Sequence, residues 1–406
     1  MNNILKLMPC MYSEVELKSR LLMLPDYSDE IQNKSAETRI IGLSDIYDIY
    51  IPSQMTYEIY CRLYLALLNS FKKKQTHIAM KQRYENAKIV RGSNGSGILG
   101  GTDSFTVIGI SGLGKSAAIC KAVELLEGNC VVELESPYTK IIPCLTVQCP
   151  FDSSVKGLLF EILRKVDETL NSRYYENAVR ARATTDMLIG SVSQVALNHI
   201  GVLIVDEIQN VAENKNGRTL VGMLTQLINN SGISICMVGT PKCRAFFEQE
   251  IQLARRAIGL EYREVEYGAD FYGFCRTVFG YQFTKYKEDF TDGTARWLYE
   301  HSGGIISVVI SLIHDAQELA ILNGTERLNI QALNSAYAKR MGMMHSYIDT
   351  AVRKKYSKRK EIAVDSKAVS TAETAVLASL SEKAKTEDND FVTLLKERFS
   401  VSEVKL

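Results

Sequence analysis

FTVIGISGLGKS, residues Phe105 to Ser116, sets the architecture to expect for this chain. An apolar run enters the loop GISGLGKS, which matches the pattern G-x-x-x-x-G-K-[ST]. Phosphate oxygens need several backbone N–H groups aimed at one point, and only glycines let the chain curl that tightly. The pattern predicts that Lys115 reaches the β- and γ-phosphates of a nucleotide and that Ser116 holds Mg²⁺. The residues expected around the nucleotide are Gly109, Ser111, Gly112, Leu113, Gly114, Lys115, Ser116 and Ala117.

The loop opens a predicted helix, Lys115 to Glu127, with Gly128 as its expected C-cap. The N-terminal dipole of such a helix favours a bound anion. A chance glycine-rich turn is the alternative. Strand, loop and helix nevertheless follow one another in the order that a phosphate-binding loop requires.

Length and composition limit the class of protein. With 406 residues, 46% hydrophobic and 23% charged, the chain is typical of a soluble globular protein with two or three domains. No apolar run approaches the roughly 18 residues of a membrane span, and the N-terminus lacks a signal-peptide pattern. We therefore expect a cytoplasmic protein with no membrane partner. The net charge of +1 neither demands nor excludes a nucleic-acid partner.

The nine cysteines are scattered without a C-x-x-C pair, and the five histidines do not lie near them at metal-ligand spacing. A zinc site is therefore not expected. Cys120 and Cys236 fall on apolar faces, which predicts buried thiols in a reducing cytosol.

Strands and helices alternate after the phosphate-binding loop. Strands are predicted at 131–134, 141–148, 202–205, 233–238 and 262–265, and helices at 155–170, 185–199, 220–228 and 243–258, with a less regular stretch at 174–183. This alternation predicts an α/β fold, a three-layer P-loop core with a mostly parallel sheet. Only helices are expected from Asp270 to about Thr350.

The chain before the loop is predicted to be helical at 13–23 and 54–71. A basic arm and a glycine-rich linker at 92–101 follow; the arm carries Lys72, Lys73, Lys74, Lys81, Arg83, Lys88 and Arg91. We therefore expect four parts: a helical N-terminal extension with this arm (1–95), a nucleotide-binding core (96–268), an all-helical lid (269–350) and a flexible basic and polar tail (351–406).

Four apolar residues followed by two acids, VLIV-Asp206-Glu207, supply a second nucleotide motif. Asp206, at the end of a buried strand, is expected to bind the Mg²⁺ shell, and Glu207 to act as general base for the attacking water. A surface Asp-Glu pair is the alternative, and the preceding phosphate-binding loop argues against it. Thr240 leaves the next strand and is expected to contact the γ-phosphate or the water; its alternative is a turn hydroxyl.

Arg255, in the pair Arg255-Arg256 that closes a predicted helix, is a candidate to stabilise charge on the phosphoryl group bound by a neighbouring subunit. A solvated helix end, where the dipole favours cations, explains the pair equally well.

The succession GISGLGKS, VLIVDE and ISICMVGT, followed by an arginine pair and a helical lid, resembles the AAA+ ATPases. Within them the chain is most similar to the TnsC/TniB-type regulators of DNA transposition, through CLTVQCPFDSSVKGLLFEIL, IVDEIQN, VGTPKCRAFF and the lead-in stretches LPDYSDE and IYIPSQMTYEIY. The resemblance implies a slow, regulatory ATPase with ATP and Mg²⁺ as cofactors, which forms rings or helical filaments as a homo-oligomer on double-stranded DNA. It implies that such an assembly links a target-site selector to transposase subunits and that ATP hydrolysis takes it apart. Arg255 would be the arginine that acts in trans.

The resemblance also assigns DNA contacts to Lys156, Arg182 and Thr184. Lys156 is a cation at a predicted helix start, where the dipole disfavours it, and this suggests an outside anion; a solvated lysine is the alternative. A few such phosphate contacts per subunit, repeated along a filament, would give sequence-independent and salt-sensitive binding.

One departure concerns the lid, where AAA+ proteins often carry an arginine after a Gly-Gly turn. Ser307 stands at about that place here, which leaves the coupling of hydrolysis to lid closure in doubt and suits slow turnover. The basic run 353–360 is either a DNA or partner contact or a solubilising linker. The apolar stretch 391–395 could bind a transposase, and the first 100 residues are the natural place for a selector contact.

Two other classes share such a core. A helicase loader or replication initiator would be favoured by a helix-turn-helix after the lid, and 270–350 has no clear recognition helix. A defence-type signalling ATPase usually appends a long sensor array or effector domain, for which the residues after the lid leave no room.

Overall fold

The computed structural model describes residue 5 and residues 8–100, 104–126, 131–135, 138–210, 217–244 and 259–342. The chain divides into two compact units, 1–336 and 337–406, and the second is described only over 337–342. The helices are α1 Glu14–Leu21, α2 Ala36–Gly42, α3 Gln54–Lys74, α4 His77–Val90, α5 Lys115–Leu125, α6 Val155–Leu170, α7 Tyr174–Arg180, α8 Thr185–His199, α9 Gly217–Ser231, α10 Ala269–Phe279, α11 Asp292–Ser302, α12 Ile306–Leu322 and α13 Ile330–Arg340. Short 3₁₀ turns occupy Asp29–Asn33, Leu43–Asp48 and Pro241–Cys243.

The centre of the first unit is a six-stranded sheet. Its strands are β1 Phe105–Gly109, β2 Val132–Glu135, β3 Tyr138–Gln148, β4 Ile200–Asp206, β5 Ser234–Gly239 and β6 Leu260–Tyr262, in the order β2-β3-β4-β5-β1-β6. All neighbours are parallel except β2 and β3, which are antiparallel. The predicted mostly parallel α/β sheet is confirmed, whereas the antiparallel pairing of β2 was not expected.

Burial on both faces explains the apolar sequence of the central strands. Val202 and Ile204 of β4 pack with α3 and α5, whereas Leu203 and Val205 pack with α6, α8 and α9. Successive side chains of a strand point to opposite faces, so a strand covered on both sides reads as a continuous apolar run. The three predicted layers are therefore present.

The helices α3 and α4 lie on opposite faces of the sheet. α3 packs on α5, and α4 packs on α8, where Gly190 allows close approach because a Cβ there would lie 2.7 Å from Ile89. At the bend between the two helices, Lys74 is buried, and its Nζ donates to the carbonyls of Ala196 (2.5 Å) and Leu197 (2.9 Å) at the end of α8. Burial lowers the pKa of Lys74 to about 7.

The stretch 72–91, predicted to be a basic arm, completes α3 and forms α4. Among its cations Lys74 is buried, whereas Lys72, Lys81, Arg83 and Arg91 are exposed. α4 packs on α8 through Ala79, Gln82, Asn86 and Ile89, which are its buried residues. The expected linker is also held in place over its described part: Ile98 N–H donates to Gln82 Oε1 (2.7 Å) and Leu99 N–H to Asn229 O (3.2 Å).

Residues 25–50, which we call the strap, contact residues 269–328, which contain α10–α12 and which we call the lid. Arg39 is 1% exposed, and its guanidinium binds both oxygens of Glu326 at 2.6 and 2.7 Å. Tyr27 Oη donates to Gln282 O (2.6 Å), and Tyr281 Oη to Pro25 O (3.0 Å). Since Glu326 also accepts from the backbone N–H of Lys285, the strap and lid share one polar network.

Several local predictions can be checked against the structure. α6 and α8 have the predicted bounds, with Ser154 and Thr184 as their caps. α5 ends at Leu125, and the expected cap Gly128 lies outside the described residues, as does nearly all of the predicted helix 243–258. The stretch 174–183 contains a regular helix, α7, because the Asp167 carboxylate accepts from the N–H groups of Tyr174 and Tyr175.

Cys236 is buried as predicted, but Cys120 is exposed, because it lies on the outer face of α5. No single helix in the described part of the chain is long and apolar enough to cross a membrane. The helices α11 and α12 reach that length and composition only when they are taken together, and the chain bends by 117° between them.

Candidate functional site

Three motifs meet at one edge of the sheet because their strands are neighbours and run in the same direction. The phosphate-binding loop follows β1, the acidic pair ends β4, and Thr240 follows β5, which lies between them. The register pairs Ile108 with Gly239 and Val205 with Met237. The carboxyl ends of parallel strands form the usual binding edge of an α/β sheet.

The loop itself has the conformation that its glycines permit. Gly112 and Gly114 have φ angles of +84° and +89°, in the left-handed region that favours glycine. Lys115 begins α5, and its Nζ donates to the carbonyls of Gly109 (2.7 Å) and Ile110 (2.8 Å). Burial lowers the pKa of Lys115, and the nearby carboxylates of Asp206 and Glu207 oppose that shift.

Ser116 and Asp206 form a pair suited to a hard cation. Ser116 Oγ donates to Asp206 Oδ2 at 3.3 Å, and Asp206 Oδ1 accepts from the backbone N–H of Glu207 at 2.8 Å. Hydroxyl and carboxylate oxygens are the ligands that Mg²⁺ prefers beside a phosphate. The two residues therefore fit the Mg²⁺ site that the sequence predicts.

Glu207 is held by a residue that the sequence did not single out. Gln209 donates from Nε2 to Glu207 Oε2, and its Oε1 accepts from the backbone N–H of Thr240 at 3.3 Å. Glu207 has a φ of +57°, which turns the chain sharply after β4. The carboxylate expected to act as base and the backbone of Thr240 are thus joined through one amide side chain.

Thr240 has a side-chain oxygen available for a ligand. Among the described residues, its buried Oγ1 makes no hydrogen bond. A buried hydroxyl without a partner is costly unless a ligand or water satisfies it. Thr240 also lines the pocket described next, so its hydroxyl is placed for a nucleotide or a water beside one.

A pocket of about 1170 Å³ contains all of these groups except the glycine that ends β1. Ser111, Gly112, Leu113, Gly114, Lys115, Ser116 and Ala117 line it together with Asp206, Glu207, Gln209 and Thr240. Its apolar lining comes from the chain just after the strap, from the segment after β6 and from the lid: Ile51, Pro52, Val265, Phe271, Phe274, Ile306 and Ile310. A lining that combines charged groups with apolar side chains suits a nucleotide with its base.

The lid contacts the phosphate-binding loop directly. The backbone N–H of Ser307 donates to Gly112 O at 3.1 Å, and a Cβ on Gly112 would lie 2.3 Å from Ser307 Oγ. The residue at the place of the expected lid arginine therefore touches the loop through its backbone.

The three predicted DNA contacts lie outside the pocket, and all are exposed. Lys156 is in the first turn of α6, Thr184 caps α8, and Arg182 precedes that cap with a φ of +50°. α6 leaves the carboxyl end of β3, and α8 ends directly before β4, so both N-termini lie toward the edge that carries the nucleotide pocket. The pocket lining from Ile49 to Thr56 was not predicted; these residues belong to the stretch IYIPSQMTYEIY, which the sequence singled out only for the family resemblance. Arg255 lies outside the described residues.

Comparison with known proteins gives a domain assignment. Residues 100–247 match the family model described as "AAA domain", and the chain thus contains an AAA-type ATPase domain. No curated protein matches the chain. A solved structure with similarity is the Orc1 protein of Aeropyrum pernix in complex with DNA, at 14% identity and a TM-score of 0.41, over 64% of this chain and 64% of that one.

Proposed function

We propose that this chain is an ATP-dependent regulator of DNA transposition. It assembles into a ring or helical filament on duplex DNA and links a target-site selector to the transposase. ATP hydrolysis, slow and regulatory, takes the assembly apart. The AAA domain match supports the nucleotide part of this proposal, and the resemblance to TnsC/TniB-type regulators supports the rest.

The observation that carries the proposal is the composition of the pocket wall. The stretch IYIPSQMTYEIY, part of the transposition-regulator resemblance, supplies Ile49 to Thr56 to the same pocket as the phosphate-binding loop. The lead-in of that family and the nucleotide motifs are thus parts of one site. A nucleotide there would contact strap, core and lid at once, which suits a molecule that reports its nucleotide state to partners.

Each pocket residue has a role that its chemistry supports. Lys115 and the loop N–H groups bind the phosphates, and Ser116 with Asp206 would hold Mg²⁺, which supplies charge neutralisation for the phosphates. Glu207 takes a proton from the attacking water, while Thr240 orients that water or the γ-phosphate. Arg255 of a neighbouring copy completes the site in trans.

Imaging by negative stain tests the proposal. The full chain is mixed with duplex DNA and a non-hydrolysable ATP analogue, with ADP as the matched control. We expect continuous filaments or rings threaded on DNA only with the analogue. Monomers, or closed rings indifferent to DNA, would contradict the proposal and favour a signalling ATPase or a helicase loader.

Two variants separate nucleotide binding from hydrolysis in the same assay. Lys115→Ala should abolish assembly because the phosphates lose their cation. Glu207→Gln should assemble normally and stay assembled with ATP, because binding is kept and hydrolysis is lost. Normal disassembly of Glu207→Gln would show that Glu207 is not the base.

A further inference from the structure

The strap begins and ends at one place beside α3. Met23, just before the strap, and Tyr50, its last residue, pair in an antiparallel bridge with two backbone hydrogen bonds of 2.9 Å. Leu21 is buried in the apolar cluster that α3 and α5 form, and the hydroxyls of Tyr50 and Thr56 are 2.9 Å apart at the start of α3. Both ends of the strap are therefore fixed next to the nucleotide-binding core.

The middle of the strap is bound to the lid by a buried ion pair. The guanidinium of Arg39 binds both carboxylate oxygens of Glu326, and its Nη1 also donates to Phe283 O at 3.0 Å. On the strap side, Arg39 Nε donates to Lys34 O at 3.3 Å. Because removal of one partner leaves a buried charge uncompensated, separation of strap and lid at this point is strongly disfavoured.

Glu326 is held in a conformation that few side chains adopt. Its φ is +54°, in the left-handed region, which costs free energy for a residue other than glycine. Its N–H donates to Ala320 O at 3.1 Å, and its carboxylate accepts from Lys285 N–H at 3.2 Å besides binding Arg39. Strained residues persist where the surrounding structure fixes them, and they cluster at functional positions. The turn after α12 therefore presents this carboxylate to the strap in spite of the strain.

The lid that the strap binds also lines the nucleotide pocket. The backbone N–H of Ser307, in the first turn of α12, donates to Gly112 O in the phosphate-binding loop, and Ile310 lines the pocket one turn later. The residues that the structure shows around this pocket do not include Arg39 or Glu326. Any effect of the ion pair on a nucleotide must therefore pass through the position of the lid or of the strap.

We infer that Arg39 is a positioning residue for the nucleotide: through Glu326 it keeps the lid in contact with the phosphate-binding loop, with or without a nucleotide. A lid that is already in place loses less conformational freedom when the nucleotide binds, so binding is tighter and release is slower. The inference rests on the proposed function only in that ATP occupies the pocket. Assembly and DNA binding do not enter it.

Release of a fluorescent ATP analogue from the full chain, measured by stopped flow, tests this inference. Glu326→Gln keeps the size of the side chain but loses the charge that pairs with Arg39, so release should be about 10-fold faster and affinity correspondingly lower. Arg39→Lys keeps the charge without the bidentate geometry, and its rate should lie between those of the parent and Glu326→Gln. Arg327→Gln, which breaks an exposed ion pair with Glu288 inside the lid, is the matched control and should release the analogue as the parent does.

Hydrogen exchange shows whether the lid is the part that moves. Without nucleotide, peptides that span residues 305–310 should exchange about 10-fold faster in Glu326→Gln than in the parent, because the lid leaves the phosphate-binding loop more often. A bound non-hydrolysable analogue should remove most of this difference. Equal exchange of the two chains without nucleotide would overturn the inference.

Tyr27→Phe supplies the deciding variant if Glu326→Gln does not fold. It removes the hydrogen bonds of the Tyr27 hydroxyl, the one to Gln282 O among them, and keeps the ring, so release should be about 3-fold faster. If the deciding variant melted at a lower temperature but released the analogue at the parent rate, the contacts of the strap would be only structural and the inference would be overturned. A parent chain that binds no ATP would instead refute the proposed function itself.

Discussion

Lys115 and Lys74 are buried lysines at opposite edges of the sheet, and their immediate surroundings are nearly alike. Each Nζ donates to two backbone carbonyls, and burial lowers the pKa of each. Lys115 opens a helix at the carboxyl edge, whereas Lys74 closes one at the amino edge, against the last carbonyls of α8.

The difference between the two lies in what surrounds the cation. Lys115 borders a pocket that also contains the carboxylates of Asp206 and Glu207 and the buried hydroxyl of Thr240. In the described chain, the charged group that shifts the pKa of Lys74 is the like charge of Arg83, and no carboxylate offsets it. A lowered pKa therefore does not distinguish Lys115 from Lys74. What distinguishes a ligand-binding lysine from a structural one is access to a pocket with convergent polar groups.

Replacing each lysine by alanine should affect ATP binding only at the carboxyl edge. Lys115→Ala should weaken ATP binding about 100-fold, since hydrogen bonds to charged groups contribute about 1.5–3 kcal/mol. Lys74→Ala should leave ATP affinity unchanged. Titration calorimetry measures both, with Lys165→Ala on the exposed face of α6 as control. If Lys115→Ala bound ATP with an affinity within about three-fold of the parent, the binding role of Lys115 would be contradicted.

Glu207→Gln tests whether the carboxylates near Lys115 do chemistry. Removal of a general base lowers kcat by about 100- to 10,000-fold. KM should change little, because the substituted amide keeps the size of the side chain and an oxygen that accepts from Gln209. Steady-state release of phosphate measures both constants. An unchanged kcat would mean that another group activates the water.

Local pattern was enough to predict much of the carboxyl edge. The phosphate-binding loop, the acidic pair and Thr240 each follow an apolar strand, and parallel strands bring such residues together. α6 and α8 have the bounds that the sequence predicted, and the structure shows Ser154 and Thr184 as their caps. The roles assigned to these residues remain predictions.

Long-range contacts explain what the sequence did not reveal. Arg39 and Glu326 are 287 positions apart, so nothing local indicates that they bind each other. Lys74 is one of seven cations in the predicted basic arm, and only the fold shows that it faces α8 while Lys72 is exposed. Gln209 is a polar residue after an acidic pair, and its role depends on β5 lying beside β4.

Gln209→Ala tests a smaller effect at the carboxyl edge. Without the amide, Glu207 loses its hydrogen-bond donor and its link to Thr240, and kcat should fall about 10-fold, as loss of one bond to a charged group predicts. Gln209→Glu, which keeps the acceptor for Thr240 N–H but places a carboxylate beside Glu207, should shift the pH profile of kcat upward. A purely structural role would lower the melting temperature without moving that profile.

Lys74→Met gives the smallest effect and completes the comparison at the amino edge. Because the pKa of Lys74 falls from 10.5 to about 7 on folding, the unfolded chain binds more protons than the folded chain between those values. The free energy of unfolding of the parent should therefore rise relative to Lys74→Met as pH increases above 7, by about 1.4 kcal/mol per pH unit at most. Urea unfolding at a series of pH values measures the difference, with Lys72→Met as control. A difference that is flat with pH would mean that the carbonyls of Ala196 and Leu197 keep Lys74 charged, as the phosphates are expected to do for Lys115.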